Sequence, residues 1–377
     1  MLCGVQPAIS KFLEFRDLGG LSVKFNFMKP LKIRLVVLRL KEKDYFCTEI
    51  EFFIMISRRL LRIKALMALY AFNRREDENL VKAEKELMFS IGKTYDLYHF
   101  LLLLVLEISD IASEKIDQAL QKHMPTTEDL NPKRRFLDNK LIKQIRNNIA
   151  FKDYISSSKL TWVNSHIPRL LYGKMIAWDA YEEYMSSGEH NYQSDKKFVI
   201  AMVTDLFAQS EDLLANLEEQ SIYWNDDMEY VTAMIEKTLK KFKVDSSAKA
   251  QLMPLFKNEE DEEFVKILFR KAVLNQKQTS ELIDKNTTNW EVERIALMDI
   301  LVMQLAIIEV LEFPGIPVKV SLNEYIEIAK FYCTSKSSTF VNGILDNIVK
   351  EIREGGLLNK SGRGLIGEVL PEKEKDL

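Results

Sequence analysis

Apolar side chains recur at three- and four-residue spacing along most of the chain after residue 55, which is the pattern of packed α-helices. From Ser57 to about Asn73 there is no acidic residue, and apolar side chains cover nearly every direction of a helical wheel. Such a helix is normally buried in a bundle. The run from Phe100 to Leu106 is equally apolar, but it is far shorter than the roughly 20 residues of a membrane span. We therefore predict an all-α fold that does not cross a membrane.

The first 54 residues follow a different pattern. Apolar and polar residues alternate from Ser22 to Phe27, and the run from Ile33 to Leu40 mixes β-branched with basic residues. Both features are typical of strands or irregular chain. A strong helical pattern begins directly after Met55. We therefore expect Met55 to be the natural start and residues 1–54 to be an upstream extension outside the native fold, with a small accessory hairpin as the alternative.

Helix boundaries can be predicted from caps and breaks. Residues 96–255 form a helical middle section interrupted at Pro, Gly, Ser and Asp clusters. In the last third, Thr288 with Glu291 and Ser321 with Glu324 have the spacing of capping boxes. A third helix of this group is expected to begin near Ser337 or Ser338 and to end at Gly355-Gly356. The charged segment after it, residues 356–377, is predicted to be disordered.

Composition limits the function more than it defines it. The formal net charge is -3, with 53 basic and 56 acidic residues, so any nucleic-acid binding must rest on a local basic patch. Three scattered cysteines argue against a disulfide framework and favour a reducing cytoplasm. The four histidines show no metal-binding spacing, and there is no phosphate-binding loop or nucleophile elbow. We therefore predict a protein without enzymatic activity, metal or cofactor.

One basic cluster stands out at the start of the acid-free helix. Arg58 and Arg62 are four residues apart on one helical face, and Arg59 lies about 100° round the helix from Arg58. Basic clusters are weak motifs, and from these residues alone a helix end that merely stays soluble is the more common interpretation. Arginine nevertheless offers planar donors to phosphate and a surface for stacking bases.

Four segments carry a family resemblance. Residues 316–330, IPVKVSLNEYIEIAK, and residues 337–346, SSTFVNGILD, resemble the paired signature of the NusB family, V-P-x-K-V-x-I-N-E-x-I-E-L-A-K and S-x-x-F-V-N-G-V-L-D. Residues 299–309, DILVMQLAIIE, and residues 62–70, RIKALMALY, are similar to two further helices of the family. The four segments occur in the family's order.

The resemblance implies a helical bundle of two subdomains, residues 55–95 and 256–355, with residues 96–255 inserted between them. It also implies an RNA-binding transcription antitermination factor. Members pair with the small-subunit ribosomal protein that doubles as NusE, and the two hold the boxA sequence of nascent single-stranded ribosomal RNA for the transcription elongation complex.

The resemblance also implies roles for particular residues. The RNA-facing set is the basic cluster with Lys336 and Phe340, because Phe can stack on an unpaired base. Tyr70 and Asp299 match positions that face the protein partner. Core packing remains an equal alternative for Phe340 and Tyr70. The chain departs from the family at Met67 and Gln304, where relatives carry Gln and Arg, and at Lys336, where relatives can carry an acid.

Two other functions share the same helical domain. A ribosome-maturation factor would use the same RNA surface outside transcription. Some ribosomal RNA cytosine methyltransferases begin with a NusB-like domain and continue into a large α/β domain. Because only a short polar tail follows the signature here, we expect the catalytic half to be absent.

Overall fold

The structure is a computed structural model that describes residues 12–16, 22–26, 57–75, 79–163, 165–287, 295–334 and 336–367. The chain divides between Glu51 and Phe52 into two units, which are described separately. In the first unit, strands β1 (Phe12–Arg16) and β2 (Ser22–Asn26) pair antiparallel, with Phe12 opposite Asn26. Whether this unit belongs to the native fold remains a prediction.

The described part of the second unit is all-α, as predicted. Fifteen α-helices are described in it, together with a short π-helix at Met202–Phe207 and 3-10 turns at Ile222–Trp224 and Gly362–Leu365. The helices are α1 Arg58–Arg74, α2 Leu80–Leu120, α3 Thr127–Leu130, α4 Lys140–Asn147, α5 Ile149–Ser158, α6 Ile167–Ile176, α7 Asp179–Ser186, α8 Tyr192–Ala201, α9 Glu211–Gln220, α10 Met228–Lys241, α11 Glu259–Leu274, α12 Gln276–Asn286, α13 Leu297–Glu312, α14 Val318–Tyr332 and α15 Ser337–Glu354.

Helix α2 is the axis of the second unit. Its 41 residues run without a break, so the expected boundary between residues 95 and 96 falls inside a helix. It packs against α1, α10 and α11 and also against α4, α5 and α6 of the middle section. The indole of Trp162 stacks on Phe100 with ring centroids 3.9 Å apart and donates a hydrogen bond to the Phe100 carbonyl. The middle section therefore shares one continuous core with the helices on either side.

Caps explain several helix boundaries that periodicity alone does not. Asn148 ends α4 and begins α5, because its side chain accepts a hydrogen bond from the Phe151 amide. Helix α15 starts at Ser337 and ends at Glu354, directly before the predicted stop at Gly355-Gly356, and Gly356 has a φ of 67° that favours glycine. The predicted box at Thr288 and Glu291 lies outside the described residues.

The predicted cap at Ser321 is wrong. Helix α14 already begins at Val318 after Pro317, so Ser321 lies within its first turns. The Ser321 hydroxyl instead donates a 2.8 Å hydrogen bond to the buried Glu309 carboxylate. A serine that satisfies a buried charge is not available to cap its own helix.

The predicted disorder after Gly355 is also wrong for the part that is described. The Ser361 amide donates to the Pro314 carbonyl at 3.0 Å, and the Lys360 ammonium donates to the Phe313 carbonyl. Gly364 packs so closely against the Pro314 carbonyl that a Cβ added to the glycine would collide with the carbonyl oxygen. Residues 357–367 therefore dock on the turn between α13 and α14. No described helix is long and apolar enough to span a membrane.

Candidate nucleic-acid interface

The three arginines of the basic cluster lie in the first turns of α1, where Ser57 caps the helix. The Arg58 Nε donates to Asp261 Oδ1 at 2.8 Å, and its guanidinium lies over the ring of Phe264. Arg59 forms a bidentate pair with Glu324, with nitrogen–oxygen distances of 2.8 and 2.7 Å. The side chains of Arg58 and Arg59 are 40% and 51% exposed. Each of these exposed arginines is thus already paired with a carboxylate.

Arg62 does not face solvent, contrary to expectation. Its side chain is 4% exposed and forms a bidentate pair with Glu309, with both distances at 2.7 Å. Glu309 also accepts hydrogen bonds from the hydroxyls of Ser321 and Tyr325. Arg62 therefore anchors α1 to α13 and α14 inside the core, and its guanidinium cannot reach a phosphate.

The electrostatics of this end of α1 reflect the pairing. The hydrogen bond between Arg59 and Glu324 raises the pKa of Arg59 above its ordinary value. Burial by itself lowers the pKa of Arg62, but the hydrogen bonds and negative charge of Glu309 outweigh burial and raise it. Burial and the charge of Glu309 raise the pKa of the Tyr325 hydroxyl well above normal. The first two effects keep the arginines charged, and the third keeps Tyr325 protonated, as its hydrogen bond to Glu309 requires.

Lys336 and Phe340 lie at the start of α15. Lys336 is the N-terminal flanking residue of the helix, and its exposed side chain makes no ion pair with a described carboxylate. Phe340 is half-buried, with part of its ring packed against the main core. This arrangement combines an available positive charge with a partly exposed aromatic ring one helical turn away.

The two residues predicted to face a protein partner differ in exposure. Tyr70 is half-buried against the core, and Arg74 lies over its ring with 5.5 Å between the guanidinium carbon and the ring centroid. Asp299 is 6% exposed and accepts a 2.9 Å hydrogen bond from the Ser337 hydroxyl. Burial and the neighbouring Asp299 carboxylate raise the pKa of the Cys333 thiol. Asp299 therefore joins the starts of α13 and α15 and does not present its carboxylate at the surface.

The predicted RNA-facing residues do not form one patch. The basic cluster meets α13 at Glu309, whereas the start of α15 meets it at Asp299. These two positions are separated by about 15 Å along the helix, at 1.5 Å per residue. The molecule thus has a paired arginine region and a separate region around Lys336.

Sequence reasoning missed the three acids that pair with the arginines. Asp261, Glu309 and Glu324 are all more than 200 residues from their partners along the chain. Only Glu309 gave a local signal, because it is a single charge inside the apolar run of α13. The described residues contain no cluster of three or more side chains suited to hold a metal ion.

Comparisons with known proteins add an independent result. A family model described as the NusB family matches residues 229–350, from α10 to α15. Proteins named transcription antitermination protein NusB are similar over the same part. The one from Salinibacter ruber is 44% identical over 115 residues, 30% of this chain and 72% of the relative. The one from Chloroherpeton thalassium is 44% identical over 113 residues, 30% of this chain and 53% of the relative.

A third such protein, from Alkaliphilus oremlandii, is 36% identical over 102 residues, 27% of this chain and 72% of the relative. The chain spans only about half the length of the Chloroherpeton protein. No solved structure matches the chain. Lys336, Phe340 and Asp299 lie within the matched range, whereas the basic cluster and Tyr70 lie outside it.

Proposed function

The chain belongs to the NusB family, and we propose that it is a transcription antitermination factor that binds boxA-like single-stranded RNA together with the NusE ribosomal protein. The observation that carries the proposal is the similarity over α10 to α15 to proteins whose name states antitermination. In this role the protein acts in the cytoplasm as part of the transcription elongation complex, as an assembly factor and not as an enzyme.

The proposed RNA contact centres on the start of α15. Lys336 provides a positive charge that no described carboxylate neutralises, and the exposed part of Phe340 provides a stacking surface for an unpaired base. Arg58 and Arg59, in the separate region at the start of α1, add partly exposed guanidinium groups. Their pairs with Asp261 and Glu324 cancel much of their charge, so they contribute less than Lys336. Arg62 is not part of the proposed RNA contact, because its side chain is buried.

We propose that Tyr70 contacts the protein partner directly and that Asp299 has an indirect role. The half-buried Tyr70 ring at the surface of α1 can pack against a partner such as NusE. Asp299 acts through the Ser337 hydroxyl, which fixes the start of α15 and so the direction of Lys336 and Phe340. We also propose that residues 96–255 are an insertion into the family's two helical subdomains. Helix α2 joins this section to the first subdomain without a break, and the family match begins inside the section, at residue 229.

The experiment is a binding assay with boxA-like RNA, with and without purified NusE. Lys336→Ala should weaken RNA binding while leaving the helical circular-dichroism signal unchanged. Phe340→Leu keeps the apolar packing but removes the aromatic ring, and should lower affinity by about 1 to 3 kcal/mol if the ring stacks on a base. Lys277→Ala, an exposed lysine on α12, is the matched control. Absence of boxA binding by the wild-type protein, with NusE present, would overturn the proposal.

A further inference from the structure

A lysine-rich stretch runs from the end of α10 into the loop that follows it. The stretch from Lys237 to Lys249 contains five lysines and one acid, Asp245, in a chain whose net charge is negative. We call residues 242–252 the lysine loop. The loop contributes Lys243 and Lys249, both exposed.

Side-chain hydrogen bonds hold the lysine loop in place. The Gln144 amide donates to the Lys243 carbonyl at 2.8 Å, and the Asn148 amide donates to the Ala250 carbonyl at 2.7 Å. The Lys196 ammonium donates to the Phe242 carbonyl at 2.8 Å and to the Lys240 carbonyl at 2.6 Å. Burial lowers the pKa of Lys196. The loop is thus a built part of the fold, held against α4, α5 and α8.

The positive charge of this surface is only partly balanced. Lys240 pairs with Glu236 and Lys143 pairs with Asp138. No ion pair within the described chain involves Lys237, Lys243 or Lys249. The acids of this surface are Asp245 on the loop itself and Asp153 on the neighbouring α5. A surface with excess lysine charge attracts polyanions.

An aromatic cavity of about 420 Å³ adjoins the lysine loop. Lys249, Ala250, Gln251 and Leu252 form one wall, and the rings of Tyr95, His99 and Tyr154 form the other. His99 stacks on Tyr154 with centroids 3.8 Å apart, and Tyr95 meets Tyr154 edge-on at 4.9 Å. The cavity lies within the usual size range of ligand sites, roughly 300 to 1,000 Å³.

The rings are fixed before any ligand binds. The Tyr154 hydroxyl donates to Asp96 at 2.7 Å, and the Tyr95 hydroxyl donates to the Met253 carbonyl at 2.9 Å. Asp96 also pairs with Lys93, so its charge is compensated. Rigid aromatic surfaces beside unpaired cations are the combination that single-stranded nucleic-acid sites use, because the cations hold the backbone and the rings stack on bases.

We propose that the lysine loop and the aromatic cavity beside it form a second contact for single-stranded RNA, separate from the start of α15. Lys243 and Lys249 bind the phosphate backbone, and an unpaired base enters the cavity and contacts Tyr154. The choice of RNA as the polyanion rests on the proposed function. The location of the site rests on the unpaired lysines of the loop and on the aromatic rings of the cavity beside it.

The test compares a boxA-like RNA with the same RNA extended by flanking nucleotides, using the full chain. The extension should tighten binding by about tenfold at ~0.15 M salt from the neutralisation of about two phosphates, and by about a further fivefold or more from the contact of a base with Tyr154. Lys243→Glu with Lys249→Glu should remove this gain. The control, Lys277→Glu with Lys350→Glu, changes net charge equally on α12 and α15 and should keep the gain.

A second pair of variants tests the cavity. Tyr154→Ala removes the ring and should reduce the gain by about fivefold or more, while Tyr154→Phe keeps the ring and should retain it. Crosslinking of photoreactive RNA should label peptides that contain Tyr154 or Lys249.

The outcomes separate this inference from the proposed function. If the short RNA binds but the extension adds nothing, or if the lysine double variant keeps the gain, the second site is contradicted and the proposed function stands. If only the extended RNA binds, and does so through the lysine loop, the second site is supported without boxA recognition. If neither RNA binds, both proposals fail. Equal lysine-dependent binding of polyglutamate would contradict the choice of RNA.

Discussion

The start of α1 and the stretch from Lys237 to Lys249 are both rich in basic residues, but they differ in what surrounds the charge. Arg58, Arg59 and Arg62 each pair with a carboxylate from a distant helix. Lys243 and Lys249 pair with no described carboxylate. The number of basic residues in a segment therefore does not determine the electrostatic potential that a ligand meets. What determines it is whether the fold brings acids to them.

The largest expected effect is on stability, at Arg62. Arg62→Ala leaves Glu309 as an unpaired buried carboxylate and should lower the free energy of unfolding by about 3 to 5 kcal/mol. Arg59→Ala, at an exposed pair, should cost at most about 1 kcal/mol. Urea unfolding followed by circular dichroism measures both.

A companion variant isolates the cause. Arg62→Met with Glu309→Gln removes both charges and should recover much of the stability lost in Arg62→Ala, because no buried charge is left unpaired. Equal costs for Arg62→Ala and Arg59→Ala would show that the first pair is not buried in solution, and the distinction drawn between the two arginines would fail.

The next largest effect is a dependence of the free energy of unfolding on pH, which we expect from His99 in the wall of the aromatic cavity. Burial lowers the pKa of His99 to about 4, from an ordinary value near 6.5. The unfolded chain therefore binds a proton at this residue at a higher pH than the folded chain does. The contribution of the neutral His99 to the free energy of unfolding is fully present above about pH 6.5. It is lost as the pH falls towards 4, and the total loss is about 3 kcal/mol.

His99→Phe keeps a flat ring on Tyr154 but cannot titrate. The stability of this variant should fall less steeply than that of the wild type between about pH 6.5 and 4. Unfolding free energies measured across that range test this. Parallel curves for the two proteins would mean that His99 takes up its proton at the same pH in the folded and unfolded chain, and so that the cavity wall is more open to water than in the structure.

The sequence predicted the elements whose causes are local. The apolar periodicity of α13 and the glycines after α15 define those helices without knowledge of their neighbours. The roles of Arg62, Ser321 and Asp299 were not predictable in this way. Each depends on a partner that only the tertiary fold brings near, such as Glu309 for Arg62 and Ser337 for Asp299. The resemblance gave the correct family but not the exposure of individual side chains.

If RNA affinity depends on unpaired charge, the removal of Lys336 should change how binding responds to salt. The affinity for boxA-like RNA is measured against salt concentration for the wild type, Lys336→Ala and Arg59→Ala, each checked by circular dichroism. Lys336→Ala should flatten the slope of log affinity against log salt by about 0.7, the value for one single-strand phosphate contact, and Arg59→Ala should change it much less. An unchanged slope for Lys336→Ala, with full flattening for Arg59→Ala, would show that the paired arginine and not the unpaired lysine binds the phosphate.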